Sequence, residues 1–218
     1  RWHDPALGSV SPARFVPALE RLGLIEVVGS WTLDRVCAQR ASWARAGLPA
    51  GKVAVNVSPL QLRSPDLAEH IVGCAAAHGL DPACLQIEIT EGSLIEDPDE
   101  VAATLRALRE HGIGICIDDF GTGFSSLQYL ARLPIDCLKI DRAFVEPLEN
   151  DPEARSLVIA IIGMAWNLGL RVVAEGVETR AQWDFLTDHG CDEIQGFFVS
   201  RSLGPQAFVE WLRRRVAA

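Results

Sequence analysis

Apolar residues along this chain follow two spacings that take turns. Short runs such as Val53-Ala54-Val55-Asn56-Val57, Leu85-Gln86-Ile87-Glu88-Ile89-Thr90 and Arg171-Val172-Val173-Ala174-Glu175-Gly176 are mostly apolar, largely β-branched and bounded by turn formers. That is the pattern of buried strands. Between them, Leu67, Ile71 and Cys74, and again Val101, Leu105 and Leu108, recur at the spacing of one helix face. Strand-then-helix units start near positions 53, 85, 113, 137, 171 and 193, the one at 137 with the strand Cys137-Leu138-Lys139-Ile140-Asp141. Ser64-Pro65-Asp66, Asp97-Pro98-Asp99 and Asp151-Pro152-Glu153 read as helix starts, each with a cap, a first-turn proline and an acid. Thr179 with Gln182 forms a capping-box pattern. His78-Gly79-Leu80, His111-Gly112-Ile113, Leu168-Gly169-Leu170 and His189-Gly190-Cys191 read as helix ends, each with a C-cap glycine before the next strand. An amphipathic helix is expected over 24–45 (Leu24, Val27, Val28, Trp31, Leu33, Val36, Trp43), a short one near 125–133 and a last one near 205–215. Residues 1–20, broken by Pro5, Gly8, Pro12 and Pro17, read as a loop in which Ser11-Pro12 starts a short helix.

Such alternation predicts an α/β fold with a parallel sheet and right-handed crossovers. Two architectures compete, an open doubly wound sheet and a (βα)8 TIM-like barrel. Asn56, Glu88, Asp118, Lys139, Glu175 and Gln195 each fall at or near the C-terminal end of one of the six strands. An open sheet concentrates its site at a switch point between a few strands, whereas a barrel brings every strand end to one mouth. The strand ends therefore favour a modified barrel with about six of its eight units recognisable. The missing two are expected upstream, because the chain opens at Arg1-Trp2-His3-Asp4-Pro5 without a Met.

Composition narrows the function. The apolar fraction of 49% and charged fraction of 22% suit a globular domain of 218 residues. No apolar run approaches the ~20 residues that cross a bilayer, and no secretory leader opens the chain. A net charge of −9 disfavours binding to DNA or RNA polymers. The six cysteines are scattered without a C-x-x-C pair, which favours a reducing, cytoplasmic setting and argues against zinc. The histidines at helix ends suit the helix dipole better than metal ligation.

The densest chemistry lies in Ile113-Gly114-Ile115-Cys116-Ile117-Asp118-Asp119-Phe120-Gly121-Thr122-Gly123, a strand ending in two carboxylates above a glycine-rich loop. Glu88, Asp118, Asp119 and Glu175 at one mouth place several like charges within a few ångströms, against the one cation of Lys139. The excess suits one or two divalent ions on oxygen ligands, Mg²⁺ or Mn²⁺ rather than zinc. Adjacent aspartates can serve an ion pair ~4 Å apart, the geometry used for displacement at phosphorus.

At these residues the chain resembles the EAL-type phosphodiesterases of the bacterial second messenger cyclic di-GMP. The matching stretches are Arg1-Trp2-His3-Asp4-Pro5, Val55-Asn56-Val57-Ser58-Pro59, Glu88-Ile89-Thr90-Glu91, Asp118 to Ser126, Leu133-Pro134-Ile135-Asp136, Leu138-Lys139-Ile140-Asp141, Ala174 to Thr179 and Gln195-Gly196-Phe197. The resemblance implies hydrolysis of cyclic di-GMP to linear pGpG by a barrel domain that covers residues 1–218. It implies Asn56, Glu88, Asp118 and Asp119 as metal ligands for a pair of Mg²⁺ or Mn²⁺ ions. Lys139 then contacts the attacking water and phosphate, and Glu175 is a further catalytic carboxylate. Arg1, Gln195 and Asp141 fall to substrate binding, and Glu91 steadies the loop from Phe120 to Ser126. A homodimer, upstream sensor or cyclase-like domains, and tethering to a membrane through such domains are also implied. Phe124 and Phe197 stand where the family commonly has tyrosine. The family's Glu-x-Leu motif, which carries a ligand glutamate, would end just before Arg1, so an N-terminally incomplete domain is expected, a phosphodiesterase when complete and a poor enzyme without that segment. The alternative is an EAL-type receptor that binds the nucleotide without cleaving it.

Overall fold

The computed structural model describes residues 2–48, 51–94, 98–123 and 127–216. The expectations for Arg1, Asp97, Phe124, Ser125 and Ser126 fall outside these residues. The chain opens with strand β1 (Trp2–Asp4), paired antiparallel with β2 (Gly8–Val10). The turn is made by Asp4, whose Oδ1 accepts from the N–H groups of Ala6 and Leu7 at 2.8 and 2.9 Å. Helix α1 (Pro12–Arg21) follows, and Trp2 packs edge-on against Phe15 with ring centroids 5.9 Å apart. The reading of residues 1–20 as mainly loop is thus corrected. Three-residue strands are too short for a period of two to register in the sequence.

The six remaining strands lie side by side in chain order. They are β3 (Val53–Asn56), β4 (Leu85–Thr90), β5 (Gly114–Phe120), β6 (Cys137–Ile140), β7 (Arg171–Ala174) and β8 (Glu193–Ile194), each parallel to the next. A doubly wound sheet would reverse its order at a switch point. This sheet never reverses, which is the singly wound order of a barrel wall. The open-sheet alternative is excluded for the described strands, and the fold is a partial TIM-like barrel.

Ten α-helices flank the hairpin and the sheet among the described residues: α1, α2 (Ile25–Arg45), α3 (Pro59–Leu62), α4 (Leu67–Ala77), α5 (Pro98–Glu110), α6 (Leu127–Leu130), α7 (Arg142–Val145), α8 (Pro152–Asn167), α9 (Arg180–Asp188) and α10 (Pro205–Val216). Their punctuation follows the sequence closely. Asp151 caps α8 through the Glu153 N–H at 2.8 Å, and Thr179 and Gln182 make both bonds of the capping box. Gly79, Gly112, Gly169 and Gly190 all sit at positive φ, from 68° to 82°, where a side chain would be strained.

Four expectations need correction. Helix α4 begins at Leu67, after Asp66, so Ser64-Pro65 forms the turn ahead of it rather than its cap. The helix expected over 125–133 is a single turn, Leu127–Leu130, among the described residues. Asp141 does not extend β6 but caps α7, its Oδ1 accepting from the Ala143 N–H at 2.7 Å. Helix α2 buries Ile25, Leu33, Cys37 and Ala41 and leaves Leu24, Val27 and Trp31 exposed. Its many apolar positions allowed more than one face, and the packing surface took the one that carries Leu33, Cys37 and Ala41.

The two faces of the sheet have different fates. Ile87, Ile89, Ile115, Ile117, Leu138, Ile140, Val172 and Ala174 join helix residues such as Ile71, Leu105 and Val158 in the main core. Burying each isoleucine contributes ~2 kcal/mol. Cys116, Cys137 and Val173 form a separate small cluster on the other, concave face. All six cysteines are free thiols. No helix among the described residues is long and apolar enough to cross a membrane.

Candidate functional site

Side chains on a strand alternate between faces, so the residue two places beyond an inward one is also inward. Cys116, Cys137 and Val173 line the concave face. Two places on stand Asp118, Lys139 and Glu175, at the C-terminal ends of β5, β6 and β7. Asn56 and Glu88 end the pattern on β3 and β4, where they are direct register partners. Their side chains meet, Asn56 Nδ2 donating to Glu88 Oε2 at 3.3 Å. Gln195 follows β8 and lines the same concave cavity as Glu88 and Lys139. Six strand ends thus deliver six polar side chains to one rim.

Lys139 is the hub of that rim. It is only 5% exposed. Its Nζ lies 2.5 Å from Glu175 Oε1, 3.0 Å from Asp118 Oδ1 and 3.2 Å from Glu88 Oε1. Burial works against the ammonium, but the Glu175 hydrogen bond and the charges of Glu88, Asp118 and Glu175 outweigh it, so its pKa is raised. Burial also raises the pKa values of Glu88 and Glu175, Lys139 opposing and the neighbouring carboxylates reinforcing the shift. One cation shared among three carboxylates does not neutralise them.

Adjacent aspartates should point to opposite faces of a strand, yet Asp118, Asp119 and Glu175 each offer an oxygen within 4.8 Å of the others. The backbone explains how. Ile117 pairs with Leu138 and Phe120 with Ile140, so β5 uses one more residue than β6 over this interval. The extra residue is a bulge, and Asp119 takes φ 54°, the one non-glycine residue at positive φ among the described residues. The Thr122 hydroxyl donates to the Asp119 carbonyl at 2.7 Å and holds the turn. Thr122 was missed as a supporting residue, although its place three residues after Asp119 suits such a bond.

The loop after the bulge rests on Glu91. This carboxylate is 3% exposed, and its Oε2 accepts from Gly121 N–H at 2.9 Å and Gly123 N–H at 3.0 Å. A Cβ on Gly123 would come within 3.0 to 3.2 Å of the Glu91 carboxylate, and one on Gly121, at φ 99°, would lie 2.7 Å from the Phe144 ring. The glycines are there because the backbone passes this close. Asp141 faces Asp119, and burial, then Asp118, then Asp141 raise the Asp119 pKa.

The donor set fits a hard divalent cation. Glu88, Asp118, Asp119 and Glu175 carry four negative charges against Lys139, and all their donor atoms are oxygen. The three carboxylates close enough to share an ion are Asp118, Asp119 and Glu175, while Glu88 is held by Asn56 and Lys139.

Comparison with known proteins agrees with this architecture. The family model described as the EAL domain matches residues 1–202. MucR of Pseudomonas aeruginosa, named as a bifunctional diguanylate cyclase and cyclic di-GMP phosphodiesterase, is 42% identical over 203 residues, 93% of this chain and 30% of the relative. A cyclic di-GMP phosphodiesterase of the same organism is 41% identical over 214 residues, 98% of this chain and 36% of the relative. The chain therefore spans about a third of the length of these curated relatives. A solved structure described as the PaMucR phosphodiesterase in complex with c-di-GMP superposes with a TM-score of 0.91 at 41% identity, covering 95% of this chain and 84% of that one. A family match of this extent, on a barrel wall whose strand ends meet around Lys139, makes the chain a member of the EAL domain family.

Proposed function

We propose that this chain hydrolyses one phosphodiester of cyclic di-GMP to give linear pGpG, with Mg²⁺ or Mn²⁺ as cofactor and two ions in the working site. The observation that carries the reading is the convergence of Asp118, Asp119 and Glu175 within 4.8 Å beside a buried lysine. Asn56, Glu88, Asp118 and Asp119, with Glu175 beside them, would hold the ions. When bound, these ions polarise the phosphoryl oxygens and acidify water.

The protein's own groups do the rest. Lys139, fixed by three carboxylates, presents a positive charge to the phosphate oxygens as charge builds up on them at phosphorus. Water adds to phosphorus, the bond from phosphorus to the ribose 3′-oxygen breaks, and that oxygen leaves with a proton. The Glu175 carboxylate, its pKa raised by burial, is placed to accept the proton of the attacking water. Glu91 fixes the loop that carries Asp119, and Arg1, Asp141 and Gln195 bind the substrate. Homodimer formation, companion sensor or cyclase-like domains and a cytoplasmic location belong to the same reading. The companion domains are supported by the length of the relatives. The receptor alternative has no observation in its favour. Incubating the protein with cyclic di-GMP and Mg²⁺ or Mn²⁺ and separating the products tests the reading. No pGpG under either ion would overturn it.

A further inference from the structure

Cys74 and His78 lie four residues apart on one face at the end of α4, and Asp34 on α2 reaches them across the helix interface. His78 Nε2 is 2.8 Å from Asp34 Oδ1. One ligand atom from each of Asp34, Cys74 and His78 lies within 4.8 Å of the other two. Donor atoms of a tetrahedral zinc site, at ~2.0–2.3 Å from the ion, stand about 3.5 Å apart. Small side-chain rotations therefore fit an ion among them. Behind Cys74 the fully buried Cys37 turns its thiol toward the same sulfur. A neighbour that contacts a ligand from behind helps to orient it.

We propose that Asp34, Cys74 and His78 form a second metal site, for Zn²⁺ or a similar transition ion, which clamps α2 to α4. Sulfur, nitrogen and oxygen donors together select such ions, whereas the oxygen-only rim around Asp118 selects Mg²⁺ or Mn²⁺. Three protein ligands leave a fourth position for water on the exposed side, where Asp34 is 60% and His78 25% exposed. Helix α2 also packs on β3, the strand that carries Asn56. The site is thus structural in place, behind the rim rather than in it. Sequence spacing could not show it, because its ligands come from two helices separated by β3 and α3.

Co²⁺ titration in excess Mg²⁺ reads the site directly. Mg²⁺ occupies the oxygen-only rim, and only a cysteine-ligated Co²⁺ gives thiolate-to-metal charge transfer in the near ultraviolet. The expected result is that band together with the strong visible absorption of four-coordinate Co²⁺, both displaced by Zn²⁺. Cys74→Ser and His78→Asn should each abolish the thiolate band or weaken it at least tenfold, while Cys191→Ser leaves it intact. Absence of the thiolate band in the unmodified protein would overturn the proposal whatever the variants do. So would its persistence in Cys74→Ser.

Discussion

The Glu175 carboxylate lies 2.5 Å from the Lys139 ammonium, the shortest of the three ion pairs that this buried lysine makes. The contact holds the rim together, and the proposed mechanism adds a second task for Lys139, facing the phosphate. Lys139→Ala should lower turnover by roughly 10²-fold or more, the scale of losing one preorganised electrostatic contact. Substrate affinity should fall much less. Steady-state kinetics separates the two, and a collapse in affinity with turnover intact would reduce Lys139 to a binding residue.

Metal dependence follows from the charge excess around Asp118. EDTA should abolish pGpG formation, and Mg²⁺ or Mn²⁺ should restore it. Asp118→Asn should do the same irreversibly while leaving the thermal melt nearly unchanged, since Asn is close in shape and the strand end is only half-buried. Turnover that survives the chelator would remove the ions from the mechanism.

Much of this was legible in the chain. The six strand starts, the capping box at Thr179 and the C-cap glycines follow from local rules, and the structure obeys them. The rim residues were legible for the same reason, because each stands at the end of a recognisable strand. What stayed hidden depends on register or on distant pairing. A period of two places Asp118 and Asp119 on opposite faces, and only the offset of β5 against β6 shows that both reach the mouth. Asp141 looked like the last residue of β6, because capping an unseen four-residue helix leaves no hydrophobic signature. His78 does end α4, and its pairing with Asp34 stayed hidden because Asp34 lies three elements back in the chain, on α2.

The bulge makes a separate prediction at Asp119. Asp and Asn tolerate positive φ better than β-branched residues do. Asp119→Asn should therefore keep the stability and lose activity, whereas Asp119→Val should lose activity and also ~1–2 kcal/mol of stability. Denaturant melts of the two variants check this. Equal stability for both would mean that the left-handed backbone at Asp119 costs nothing.

Glu91 should matter through the loop rather than through chemistry. Glu91→Ala removes the acceptor of two N–H groups, those of Gly121 and Gly123, at a cost of about 1–3 kcal/mol for each that finds no new partner. The loss falls on the loop next to Asp119, so the concentration of Mg²⁺ needed for half-maximal turnover should rise. Turnover at saturating Mg²⁺ should recover in part. An unchanged Mg²⁺ requirement would separate Glu91 from the metal site.

Proton binding at the rim sets the final expectation. Burial first, and neighbouring carboxylates with it, raise the pKa values of Glu88, Asp119 and Glu175 above the ordinary 4.5 for Glu and 3.8 for Asp. In the metal-free protein the folded state then holds protons more tightly than the unfolded chain. Its stability falls as pH rises from the ordinary carboxylate range through the raised values. Lys139 does not enter this window. Its pKa is raised above 10.5, so its contribution is complete at lower pH and lost only in alkali. Ions need the deprotonated carboxylates, so the rise in melting temperature produced by Mg²⁺ should grow across the same window and be smallest at its acid end. Thermal melts with Mg²⁺ and with EDTA, at several pH values between about 5 and 8, measure the difference. A Mg²⁺ effect of equal size at every pH would mean that these carboxylates are not the groups that bind the ion.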